Sequence, residues 1–189
     1  MRNDPRTQAG YSLTELLLVV GIMGVITGIA VVQIGASKQG LNGDGAMRVV
    51  LSQLNQAKEL AITQRRNMRV TFTNNDSVQI VREEVPGAAL TTISSVPFEG
   101  GMSFLRIASL GDPELPALPA TSATAFGPST TQIRFAPDGT LIDQDGLTLN
   151  GTLFLARAGQ NLSARAITIF GSTGRIRGFR WTGSLWKVV

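Results

Sequence analysis

Residues 11–32 read YSLTELLLVVGIMGVITGIAVV, and Glu15 is the only charged side chain among them. Twenty helical residues rise about 30 Å, the thickness of a bilayer's hydrocarbon core, so the run is long enough to cross a membrane. The ten residues before it are polar and carry Arg2, Asp4 and Arg6. A basic stretch ahead of an apolar run keeps the N-terminus in the cytoplasm and sends the following chain across. An ordinary secretory signal would have a shorter apolar core and a small-residue cleavage site after it. A plain anchor has no use for a carboxylate near the start of its helix, and a buried soluble helix this apolar needs a larger protein around it. Glu15 separates these readings: a carboxylate in lipid costs about 3 kcal/mol, so its presence implies a partner and a task. Gly21, Gly24 and Gly28 follow at helical spacing. They either let a second helix approach closely or are simply tolerated in lipid.

Outward from the apolar run, residues 35–45 (GASKQGLNGDG) hold four glycines, which predicts a kink or break, with Asn42 or Asp44 capping a second helical stretch. In that stretch, within residues 35–67, Val50, Leu51, Leu54, Ala57 and Ala61 repeat at three and four and give one apolar face to lay against a sheet. Beyond Asn67 the period changes to two. Short β-like runs occupy residues 68–73, 77–82, 91–96, 103–108, 132–136, 152–157, 166–170, 174–179 and 184–188. Turn signals separate most of them: Asn74-Asn75-Asp76, Pro137-Asp138-Gly139, Gly159-Gln160-Asn161 and Ser172-Thr173-Gly174. Residues 111–130 are proline-bearing and read as an irregular loop. The expected fold is therefore α+β: a long N-terminal helix, half membrane-spanning and half amphipathic, on an antiparallel β-rich head over residues 68–189.

Gly10-Tyr11-Ser12-Leu13-Thr14-Glu15-Leu16 resembles the type III signal of type IV prepilins and pseudopilins. The later segments ITQRRNMRVTF (62–72), IRFAPDGTL (133–141) and ITIFGSTGRIR (167–177) resemble the FimT/GspH branch of that family, while residues 85–130 find no match. The resemblance implies a leader over residues 1–10, cut after Gly10 by a prepilin peptidase that then methylates Tyr11, where phenylalanine is more usual. It implies that Glu15 pairs with a neighbouring subunit's N-terminal amine during assembly. The physics agrees, because two charges costly in lipid neutralise one another only when subunits dock in register. The implied protein is a single-pass subunit of the bacterial inner membrane with a periplasmic head, later carried at the tip of a pilus or pseudopilus. Its implied partners are other minor and major pilins or pseudopilins. A minor pilin of a type IV pilus, a minor pseudopilin of type II secretion and a membrane-anchored binding module that never polymerises all stay open at this point.

No chemistry of the enzymatic kind is expected. Histidine and cysteine are absent, which removes the usual general base, the thiol nucleophile and Cys/His zinc sites. Asp138 belongs to a Pro-Asp-Gly turn, and Asp143 and Asp145 lack the further oxygen ligands of a calcium loop. No cofactor and no metal are expected. Charge is uneven, however. The chain is net +4, and residues 146–189 contain six Arg or Lys but no Asp or Glu. Arg175 and Arg177 alternate on an expected strand and so share a face; Arg180 is off that parity, beside Trp181. A one-sided arginine row near aromatics suits phosphates and stacked bases. Gly174-Arg175-Ile176-Arg177 also resembles the GRxR motif of FimT minor pilins that bind DNA in natural transformation. That resemblance implies double-stranded DNA as a partner, touched by Arg175 and Arg177, with Arg180 added on charge and proximity. Arginines guarding an edge strand, or meeting acidic groups of a neighbouring subunit, account for the same residues.

Overall fold

In the computed structural model, which describes residues 11–85, 87, 89–113, 122–126, 132–143 and 145–189, a single helix α1 (Leu13–Gln64) precedes eleven strands. The chain divides into two units, Met1–Lys38 and Gln39–Val189. The first contains Leu13–Val31, apolar and long enough to cross a membrane, with almost all its large side chains exposed. Ser12 starts the helix: its Oγ accepts the Glu15 backbone N–H at 3.2 Å, satisfying one of the donors a helix start leaves open. Arg65, in the left-handed region at φ 50°, ends it.

The break expected at residues 35–45 is not there, since α1 runs through all four glycines, although the division between the two units falls among them. Neither Asn42 nor Asp44 caps a second helix. Each interior glycine costs about 1 kcal/mol against alanine, but tertiary packing offsets this. A Cβ on Gly43 would sit 2.5 Å from the Ser163 carbonyl oxygen and 2.9 Å from Arg165 Cζ. The bare backbone is what lets helix and sheet approach.

The head contains two antiparallel sheets. Sheet A has the order β3-β2-β1-β6-β7, built from β1 (Met68–Thr73), β2 (Ser77–Glu83), β3 (Leu90–Pro97), β6 (Gln132–Phe135) and β7 (Leu141–Ile142). Sheet B has the order β11-β10-β9-β8-β4, from β4 (Ser103–Phe104), β8 (Gly151–Arg157), β9 (Gln160–Phe170), β10 (Arg175–Trp181) and β11 (Trp186–Val188), while β5 (Thr124–Ala125) also pairs with β8. The inner faces of both sheets enclose one core with the helix: Val50, Leu54, Ala57 and Ala61 meet Val70, Ile80 and Phe135 from sheet A and Leu153, Leu155 and Ile167 from sheet B. The amphipathic face read from the sequence is the face that is buried, with Leu51 at its margin. On sheet A's other side Glu83 fastens three strands, accepting from Arg69 Nη2 at 2.6 Å, Arg134 Nε at 3.0 Å and Asn67 Nδ2 at 3.3 Å. Burial works against ionisation of Glu83, but the Arg69 hydrogen bonds, the Arg134 charge and the Asn67 amide outweigh it and hold the carboxyl below the ordinary carboxylate range.

Three expected boundaries are corrected. The run at 103–108 shrinks to β4 followed by a short 3₁₀ turn, Ala108–Leu110. β9 begins at Gln160 rather than 166, so the turn before it tightens to Ala158 and Gly159, with Arg157 opposite Gln160. The segment 111–130, of which residues 114–121 and 127–131 lie outside the described residues, is not wholly irregular: β5 pairs with β8, and Phe126 is fully buried and stacks on Phe72. Gly151 makes the space for that ring, since a Cβ there would overlap it. Gly151→Ala is therefore expected to destabilise the head by about 2 kcal/mol, the cost of overpacking, as a lower unfolding midpoint in urea.

Candidate functional site

The sequence-predicted residues fall into two places. Gly10 lies outside the described residues. Tyr11 and Glu15 stand at the start of α1, both exposed, and no described residue forms an ion pair with Glu15. It is the one acidic group in the first turn of an otherwise apolar span. A carboxylate there is favourably placed against the helix dipole.

The arginines lie on β10, which runs back along the helix. Lys58 Nζ donates to the Gly174 carbonyl at 2.9 Å, Gly178 lies against Met47 and Leu51, and Arg180 reaches Asp44. Residues facing the helix are thus Ile176, Gly178 and Arg180; Arg175, Arg177, Phe179 and Trp181 take the opposite face. Arg175 is exposed, with its guanidinium 4.5 Å from the centre of the Phe170 ring across the strand pair. Arg177 stands opposite Thr168 and is half-buried. The structure brings these two together and separates Arg180 from them. Arg180 projects to the helix side, 3.7 Å from Asp44 Oδ2. Nor is the motif a free tail, because β11 pairs with Phe179, Arg180 and Trp181, and the Val189 N–H donates to the Gly178 carbonyl at 3.0 Å. Below Phe179 on this outer face, Phe154, Ala166 and Trp186 form a small second cluster. The segment after β4 covers it: Arg106 lies over the Phe154 ring and bonds Asp112 at 3.1 Å, while Trp186 Nε1 donates to the Leu110 carbonyl at 3.1 Å.

Sequence reasoning missed the group that fixes the helix to sheet B. The Arg165 side chain is 0 % exposed. It donates Nε to Asp44 Oδ1 at 2.8 Å, Nη2 to the Gly40 carbonyl at 2.8 Å, and Nη1 to the carbonyls of Leu162 and Ala164 at 3.0 and 2.8 Å. Burial pushes the guanidinium's pKa down, and the hydrogen bond and charge of Asp44 oppose that. An arginine just ahead of the β-like run 166–170, and a lone aspartate in the glycine-rich stretch 35–45, were the available signals.

A helix with an apolar N-terminal part and an amphipathic part laid on antiparallel sheets defines a pilin-like fold. The family model described as type II transport protein GspH matches residues 46–174, more than half of the chain. The chain belongs to the GspH family, within the FimT/GspH branch of minor pilins and pseudopilins, whose members are structural subunits rather than enzymes and associate with other pilins or pseudopilins. A crystal structure of the type IV minor pilin FimU of Pseudomonas aeruginosa superposes with TM-score 0.50 at 15 % identity, covering 76 % of this chain and 91 % of that one. The minor pseudopilin EpsH of the Vibrio cholerae type II secretion system gives TM-score 0.47 at 12 % identity, covering 71 % and 93 %. At such identities the FimU likeness speaks for the fold alone. No curated protein sequence matches the chain significantly.

Proposed function

We propose that the chain is a minor subunit of a type IV pilus, cut after Gly10 by a prepilin peptidase, methylated on Tyr11 and held in the inner membrane by residues 11–34. The β-rich region, residues 68–189, is its periplasmic head and is carried to the filament tip. The observation that carries this reading is the single carboxylate, Glu15, in the first turn of an exposed membrane-length helix in a chain of the GspH family. The same architecture serves a type II secretion pseudopilus, a second reading favoured by the family description itself.

DNA capture is the finer part of the proposal. Arg175 and Arg177 share the sheet face away from the helix, Arg175 beside an aromatic ring, in a stretch of chain without acids. The test is a duplex-DNA titration of the detergent-solubilised chain against salt, with Arg175→Glu/Arg177→Glu alongside. Each lost phosphate contact is expected to flatten the log–log salt slope by about 0.9. An unchanged affinity and slope in the double variant would remove DNA from the proposal. A wild-type chain that binds no DNA would leave a purely structural subunit.

A further inference from the structure

Three cations stand directly opposite one another across β9, β10 and β11: Arg165 pairs with Arg180, and Arg180 with Lys187. Like charges placed so are destabilising unless a counter-charge meets them. The side-chain carboxylate that meets this row is Asp44, already engaged by Arg165 at 2.8 Å and 3.7 Å from Arg180. Arg180 and Lys187 are exposed. One residue further along, Trp181 and Trp186 face each other on the other side of the hairpin, rings 5.4 Å apart and edge to face. The turn between them carries Leu185, 57 % exposed, and a Cβ on Gly183 would touch Leu162, itself exposed. A hairpin end with cations on one face, indole rings on the other and a bare leucine at its tip matches the composition of the membrane–water interface.

Its place in the head agrees. β10 passes Lys58, then Met47, then Asp44, so the hairpin turn lies at the Gly40–Asp44 end of the head's helix. In the sequence the apolar span ends at Val31, eight residues before Gln39, where the head begins. We infer that the β10–β11 hairpin end is a membrane-surface contact, with Trp181 and Leu185 seated at headgroup level and Arg180 and Lys187 against the phosphates of anionic phospholipids. This rests on the reading of Leu13–Val31 as a membrane span.

Trp181 and Trp186 are the only two tryptophans in the chain, so indole fluorescence reports on this hairpin alone. The full chain is reconstituted into vesicles of phosphatidylethanolamine and phosphatidylglycerol, plain or carrying bromine on the acyl chains near the headgroup, and floated. Emission is expected to fall by about half in the brominated vesicles, as for rings held at the interface. Most of that loss should disappear in Trp181→Phe, because Trp186 is turned to the Leu110 carbonyl. Chain that floats with equal emission in both vesicle types overturns the inference and leaves the anchor intact. Chain that fails to float overturns the anchor reading, and the inference with it. Protection from acrylamide without bromine quenching, lost on dilution into more lipid, marks a contact between copies and also overturns it.

Discussion

Asp44→Ala is expected to destabilise the head by about 3 kcal/mol, because it strands a buried guanidinium. Arg165 is 0 % exposed, and three of its four acceptors are backbone carbonyls that carry no compensating charge. The cost stands at the low end for a broken buried pair because the Asp44 side chain is 23 % exposed, so water can approach the site. Exchanging both partners separates charge from shape. Asp44→Ala with Arg165→Met removes the stranded ion and should recover much of the loss, since an apolar replacement of a whole pair is often near neutral. Urea unfolding of the two variants and of Arg165→Met alone closes the cycle. A single Asp44→Ala variant within about 0.5 kcal/mol of wild type would mean the pair behaves as a surface contact.

That pair also explains where the sequence misled. Locally, GASKQGLNGDG carries every sign of a helix end, yet the helix continues because Gly43 and Asp44 are read by β9, about 120 residues away in the chain. β9 shows the same effect. Its first half, Gln160-Asn161-Leu162-Ser163-Ala164, has little intrinsic strand preference and is a strand because β8 pairs with it and because Ser163 Oγ accepts the Arg157 N–H at 2.9 Å. Phe126 could be placed only by knowing that Gly151 stands opposite it. Where local and tertiary preferences coincide, the reading was close. β1 occupies residues 68–73 as expected, and the Asn74-Asn75 turn is made with both residues at positive φ, as asparagine permits. The alternation of Arg175 and Arg177 was legible from a period of two, and so was the odd parity of Arg180. What no local pattern disclosed was which face the helix covers, and this is what assigns Arg180 to Asp44 and to the cation row.

Glu15→Leu is expected to leave the chain in the membrane fraction and to reduce its recovery in sheared filaments a hundredfold or more. The substitution lengthens the apolar run, so insertion should improve by the few kcal/mol that a carboxylate costs in lipid. Structure within the subunit should hardly change. The Ser12 cap bonds the backbone N–H of residue 15, which any residue retains, and a first-turn carboxylate adds under about 1 kcal/mol to the helix. The loss therefore falls on assembly. Under the proposed pairing with a neighbour's methylated Tyr11 amine, removing Glu15 leaves that amine unpaired in lipid. A broken buried pair costs about 3 kcal/mol or more, which is two decades in an association constant. Glu15→Gln sharpens the test, because it keeps the size and removes only the charge. If Gln assembles as well as Glu, the carboxylate acts as a hydrogen-bond acceptor rather than as a counter-ion. If Leu assembles as well as Glu, a subunit pairing through residue 15 is wrong, and register in the filament is set by the head instead.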